Sequence, residues 1–229
     1  VRRDLGIEAA GNRAGDALGG WPGGVVSAAC GLVASLAAGI GGLASRNVAA
    51  ALAGGVIVVL ARVVALGQAV LLGVRGRALT AEEHAMLTTV YRDSVDLRAV
   101  RVVPGFAGLF GMNRRPVTLG GTIYLKGVTQ SATLVHECAH VWQYQHMGSR
   151  YTVDAVVAQL TVKPSAYRWV DELGRGKTHW REFNREAQAQ LLEDLAADGF
   201  FTAERRFVLA GVDHTELAVA AVAEVRRLD

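Results

Sequence analysis

Cysteine is scarce in this sequence: Cys30 and Cys138 are the 2 among 229 residues, which excludes a scaffold stapled by disulfides. An excess of one charge is also missing. The 24 Lys+Arg against 21 Asp+Glu leave a net charge of +3, and there is no Lys/Arg run, so no nucleic-acid partner is expected. Intrinsic disorder is excluded as well, because hydrophobic residues make up 51% of the chain and charged residues 20%. Internal repeats and low-complexity linkers are lacking beyond a Gly/Ala-rich beginning. A chain of 229 residues has room for one domain, or for a modest domain with an appendage.

What is abundant is apolar sequence, and it is concentrated early. Pro22 to Ser45 contains no charged residue, and Val48 to Val74 contains only Arg62; Arg46 and Asn47 separate the two runs. Each run has the ~20 residues that a helix needs to cross a bilayer. Together they read as a hydrophobic helical hairpin, preceded by a polar, glycine-containing stretch. Three readings compete: a transmembrane hairpin, a hairpin buried against the rest of the chain or in an oligomer, and a secretory signal led by Arg2 and Arg3. The first is favoured. Small-residue spacings such as Gly31–Ser35 and Gly39–Leu43 suit close helix approach in lipid. Arg62 argues against it, since an unpaired charge at the centre of a span costs about 2.5–3.5 kcal/mol. A signal fits least, because the apolar run starts late and a second run follows it. For a spanning hairpin, Arg2, Arg3, Arg13, Arg75 and Arg77 in the flanks outnumber Arg46 in the connection, which puts both ends on the cytoplasmic side.

The composition turns ordinary from Leu79 onward, so residues 1–78 and 79–229 are expected to form two units. Thr80-Ala81-Glu82-Glu83 is a capping box that predicts a helix over 81–91. Val100–Val103 reads as a strand. Val117–Lys126 reads as a strand broken at Gly120-Gly121 by a bulge or hairpin bend. Ser131 or Thr133 would cap the next helix, which Gly148 would end. Further helices are expected at 152–160, 183–198 and 214–228. The last of these has an apolar face that suits docking on a core.

His136-Glu137-Cys138-Ala139-His140 is an H-E-x-x-H motif. At this composition the motif is expected by chance about 0.007 times. On a helix the two imidazoles, one turn apart, face the same point, and Zn²⁺ accepts imidazole nitrogen readily. Glu137 then directs its carboxylate toward the open coordination position, where it can take a proton from water. Cys138 points the other way, into packing. The alternative is a pair of satisfied histidines on a half-buried helix.

A metal site needs a third protein ligand. His146 would complete the metzincin spacing, but Gln143 stands where that pattern has glycine. On an unbroken helix His146 is turned about 240° from His140. A carboxylate on a later helix, as in gluzincins, is the other route. Glu186 in Phe183-Asn184-Arg185-Glu186-Ala187-Gln188-Ala189-Gln190 is the first choice, Glu182 the second, and Glu193 and Asp194 follow. Tyr144, Tyr151 and His179 are candidates for a neutral donor to a developing oxyanion.

HECAHVWQYQHMG, followed by W-x-x-FNREAQAQLLED, resembles a bacterial family of zincin-like metallopeptidases, and residues 77–200 carry the similarity. The resemblance implies an α+β, mainly helical zincin-like domain with a small β-sheet. It further implies His136, His140 and Glu186 as zinc ligands and Glu137 as the catalytic acid/base. Cys138 departs from the family pattern, which has leucine there more often. In zincin folds the strand before the active-site helix, here Thr122–Lys126, offers its edge to an extended peptide.

The expected function is therefore a membrane-associated zinc metallopeptidase acting on a peptide or protein. Two alternatives stand beside it: a catalytically idle zincin-like binding module, and a membrane-active, toxin-like protein that inserts residues 22–74. The intact Glu137 argues against the first of these, since binding alone does not need that acid.

Overall fold

The computed structural model of the protein describes residues 2–41, 48–112, 115–162, 165–202 and 206–227. The architecture is α+β and mainly helical, with a small sheet, and a hydrophobic helical hairpin precedes that sheet. Helices α1 (Arg2–Leu18), α2 (Gly20–Gly41) and α3 (Val48–Leu72) come first, so the two apolar runs are α2 and α3. Arg46 and Asn47, expected as the break between them, lie outside the described residues.

Helix α1 was not expected, because its sequence is polar and carries three glycines, each of which costs about 1 kcal/mol relative to alanine. Packing supplies what propensity lacks. Gly11 fits the side chain of Cys30, and Gly15 lies on the backbone of Gly23, so α1 and α2 approach closely. Buried Asn12 donates to the carbonyl of Ala99 at 3.2 Å and accepts from Ser27 Oγ at 2.5 Å. Asp16 pairs with Arg101 at 2.7 Å.

After α4 (Ala81–Tyr91) comes a three-stranded sheet of β1 (Arg101–Val103), β2 (Val117–Leu119) and β3 (Thr122–Tyr124). The order is β1-β3-β2, with β3 parallel to β1 and antiparallel to β2. Helices α5 (Ser131–Met147), α6 (Arg150–Thr161), α7 (Trp169–Gly174) and α8 (Arg185–Asp198) follow. A two-stranded hairpin, β4 (Val208–Leu209) with β5 (Val212–Asp213), leads into the terminal helix α9 (Thr215–Val225). The capping box at Thr80 and Glu83 is formed as expected. Helix α7 and the β4–β5 hairpin have no counterpart in the sequence reading.

The main core lies where α4, the sheet, α5, α8 and α9 meet. Leu87, Ile123, Val135, Leu191, Leu192, Leu195 and Val225 are fully enclosed there. Tyr91 donates its hydroxyl to the Val135 carbonyl at 2.6 Å, which pins α4 to α5. Cys138 is buried in the same core, away from the histidines, and burial raises its thiol well above the ordinary value.

Arg62 shows how the hairpin joins the rest of the molecule. Its side chain is 4% exposed and forms an ion pair with Glu8 of α1, itself 3% exposed. Nη1 also donates to Thr122 Oγ1 of β3 at 2.8 Å. The Gly120-Gly121 bend between β2 and β3 makes room for this pair. Gly120 has φ +60, and a Cβ there would come within 2.6 Å of the guanidinium. A Cβ at Gly121 would meet the Ala99 carbonyl at 2.6 Å. The small residue Gly31 of α2 faces the same guanidinium. Elsewhere Gly54 of α3 lies against the backbone of Ser149, and Gln68 accepts from the amide of Leu109. Helix α3 is thus held along its length by α6, the β2–β3 turn and the loop after β1.

Replacing Arg62 by leucine leaves Glu8 buried without its cation, and the expected loss is about 3–5 kcal/mol. Thermal unfolding of Arg62→Leu and of the double variant Glu8→Leu/Arg62→Leu checks this. The single variant is expected to melt well below wild type, and the double variant to recover much of the difference. A single variant that melts with wild type would contradict the pairing.

Candidate metal centre

Helix α5 runs unbroken through the motif and stops at Gly148, where φ is +64. Neither Ser131 nor Thr133 caps it; Gln130 occupies the N-cap without a side-chain bond. Thr133 instead donates to Glu193 Oε1 at 3.0 Å. The cap that matters to the site is on α8. Asn184 Oδ1 accepts from the amides of Glu186 and Ala187 at 3.0 and 3.1 Å, which fixes the start of the helix and places Glu186 in its first turn. The fully buried Ala187 and Ala189 let α8 pack closely on α5.

This packing brings three side chains together. Glu186 Oε2 lies 3.6 Å from His136 Nε2 and 3.5 Å from His140 Nε2. The three ligand atoms are all within 4.8 Å of one another, and the residues are buried. A tetrahedral ion with bonds of about 2.0–2.1 Å needs donor atoms about 3.3–3.4 Å apart. The two separations from Glu186 match within a few tenths of an ångström. A buried His136/His140/Glu186 group of this kind can hold a metal ion.

The outer contacts orient the donors inward. His136 Nδ1 lies 3.0 Å from Glu193 Oε2, and His140 Nδ1 lies 2.9 Å from Gln143 Oε1. The Gln143 bond on the far ring nitrogen fixes the tautomer of a ligating His140 imidazole, and Glu193 is an ion-pair neighbour of His136. Gln143 is itself fully buried and donates to Gln188 Oε1 at 3.0 Å and to the Arg185 carbonyl at 3.1 Å. Gln159 of α6 donates to the other Glu186 oxygen at 2.8 Å. Electrostatics follow from this geometry. Burial by itself would lower the His136 imidazole, but the nearby Glu186 and Glu193 carboxylates outweigh it and push it up to about 10. Burial would raise Glu186, but the two histidines hold its carboxyl far below the usual range.

Glu137 stands beside these donors and is not one of them. Thr118 Oγ1 of β2 lies 2.7 Å from Glu137 Oε2 and 3.0 Å from its carbonyl, and donates to one or the other. The group opens into a cavity of about 540 Å³ walled by β2 on one side and by Tyr151, Ala155 and Gln159 of α6 on the other. The edge strand along this cavity is β2. The sequence reading gave that role to Thr122–Lys126, but β3 is bonded on both sides, to β1 and β2, and has no free edge.

The remaining candidates fall elsewhere. Glu182 is exposed and accepts from the amides of Thr178 and His179. Asp194 accepts from Trp169 Nε1 at 2.7 Å. His146 stacks on Trp142 and bonds its carbonyl at 2.9 Å, in a separate cavity with His84 and Arg92. His179 is exposed and lies outside the cavity, and Tyr144 packs with Val58 and Tyr151. Tyr151 lines the cavity, but its hydroxyl donates to the Thr118 carbonyl at 3.3 Å. Sequence reasoning missed Tyr167. Its ring stacks on His136 with centroids 5.9 Å apart, and the Arg115 guanidinium lies over it at 4.4 Å. Burial, and then Glu186, push its hydroxyl up to about 12, so it stays a neutral donor. No motif surrounds Tyr167, and only the fold brings it to the site.

No family model matches the chain, and no curated protein or solved structure is significantly similar to it.

Cation binding at this site must displace the proton that His136 carries below pH 10. His140 is shifted the same way, so calorimetric titration with a divalent cation is expected to show affinity rising at least about tenfold per pH unit from pH 7, with proton release. Glu193→Gln and Gln143→Leu are each expected to weaken binding about 10–100-fold at fixed pH. Affinity independent of pH, or untouched by both variants, would contradict the assignment.

Proposed function

We propose that the protein is a zinc metallopeptidase that hydrolyses peptide bonds in the cleft between β2 and α6. The observation that carries the reading is Glu137. A buried carboxylate, held by Thr118 and standing beside a ready His-His-Glu donor set, is what a general base for amide hydrolysis requires and what a binding module has no use for. His136, His140 and Glu186 would hold the cation, and bound zinc supplies a lowered pKa for water and polarisation of a carbonyl.

The protein's own groups do the rest. The edge of β2 away from β3 receives an extended peptide by main-chain hydrogen bonds once the Tyr151 hydroxyl gives up the Thr118 carbonyl, and lays its backbone over α5. Glu137 takes the proton of the attacking water on its carboxylate and passes it to the leaving amine nitrogen. Thr118 keeps that carboxylate aimed into the cleft. Tyr167, neutral at working pH, offers an O–H to the oxygen that gains charge. Gln159 holds Glu186 from behind.

We place the hairpin against a membrane. Helices α2 and α3 each contain a stretch long and apolar enough to cross one. Their outward side chains, among them Val33, Leu36, Val56, Leu60, Val63 and Leu71, are exposed. Because α3 is held along its length by Ser149, Thr122 and Leu109, the hairpin turns one exposed apolar face to the membrane and keeps the other on the rest of the chain. Exposed Arg13 and Arg75 suit the anionic cytoplasmic leaflet.

Two experiments test the reading. Metal-loaded wild type is expected to cleave an unfolded protein substrate, and Glu137→Gln to be slower by about 10²–10⁴-fold with its metal retained. Equal rates in the two proteins would exclude the assigned role, and no cleavage by either would favour a binding module. On fractionation, the chain is expected to stay with membranes through a high-salt wash and to need detergent for release. Release by salt alone would contradict the placement.

A further inference from the structure

The cleft differs in character from one end to the other. At the His136 end it is polar: Gln130, Thr133, Gln190 and Glu193 line it, and Thr133 and Glu193 are bonded to each other. The His140 end is different. Tyr151 stacks alongside His140 with centroids 6.3 Å apart, and Thr152, Ala155 and Val156 follow along α6. The wall at this end is completed by Ile57, which belongs to α3 of the hairpin. Ile57 reaches the cleft because Val58, its neighbour, is 1% exposed against Tyr144 and Tyr151. Gly54, one turn earlier, lets the helix sit on the backbone of Ser149. Ile57 itself remains 39% exposed. Among the described residues that line this end, none carries a charge outside the His140/Glu137/Glu186 centre itself. Arg115, the arginine among the described residues of the cleft, lies over Tyr167 at the His136 end.

We propose that the α3 end of the cleft is a subsite for an apolar side chain of the substrate, and that the hairpin is part of the substrate-binding surface. This rests on the peptidase reading. An extended peptide on the β2 edge presents successive side chains to opposite faces, so one residue near the scissile bond is directed at Ile57, Tyr151 and Val156. An apolar side chain there gives up contact with water at both surfaces. A charged side chain would lose solvation with no partner to replace it. The substrates are therefore polypeptides with a leucine-, valine- or phenylalanine-like residue beside the bond that is cut.

The test uses the whole metal-loaded chain and a peptide library that varies one position at a time on either side of the scissile bond. Wild type is expected to favour apolar over acidic residues at one position by at least tenfold in kcat/KM. Ile57→Lys is expected to reduce that ratio at least tenfold, and Ile57→Val to keep it. Peptide binding to Glu137→Gln, followed by fluorescence anisotropy, is expected to show the same order of preference without turnover. A flat profile in wild type, or a profile unmoved by Ile57→Lys, overturns the subsite and leaves the peptidase reading standing. Apolar-selective binding to Glu137→Gln with no hydrolysis by wild type keeps the subsite and overturns the peptidase reading.

Discussion

Glu186 has to reach two imidazoles that sit on another helix, and much of the chain after residue 130 bears on that reach. The histidines are set by helix geometry alone, one turn apart on α5. The carboxylate depends on where α8 starts and how close it lies. Asn184 fixes the start through two backbone bonds. Ala187 and Ala189 set the distance, and the buried Gln143–Gln188 bond sets the register between the helices. Position in the first turn of α8 also favours the anion, since the positive end of the helix dipole lies there. The Glu186 carboxylate is thereby held at near-tetrahedral spacing from both imidazoles before a cation arrives, which reduces the reorganisation that binding must drive.

The second constraint couples the hairpin to the same site. A lone arginine in an apolar helix is unfavourable, and here it is met by Glu8 from α1 and by Thr122 from the sheet. The pair occupies the space left by two glycines in the β2–β3 turn, so the edge strand that borders the cleft is braced from behind by the hairpin. On the other side of the cleft, α3 packs on α6 and contributes Ile57 to its wall. Whatever restrains α2 and α3 therefore bears on both walls of the cleft.

The parts legible in the sequence were those written in local pattern. H-E-x-x-H, the capping box at Thr80 and the two apolar runs each carry their geometry within a few residues. Glu186 could be ranked first among the acids because a demand for a third ligand met a helix with small residues around it. The parts that were not legible depend on contacts far apart in sequence. Helix α1 exists through the fit of Gly11 and Gly15 against α2 and through polar bonds to residues near 99–101, none of which a periodicity reports. Strand order decides which strand is the edge, and nothing in Val117–Lys126 says that β3 would be flanked on both sides. Tyr167 lies in a stretch with no motif. Arg62 was visible as an anomaly, but its partner, 54 positions earlier, was not.

X-ray absorption at the zinc edge on the purified, zinc-loaded protein tests the central claim most directly, because it reads the donor set without reference to activity. The account predicts a light-atom shell at about 2.0–2.2 Å with the scattering signature of two imidazoles, and with one of its oxygens lost in Glu186→Ala. A sulfur shell near 2.3 Å, a third imidazole, or a spectrum unchanged in Glu186→Ala would contradict it.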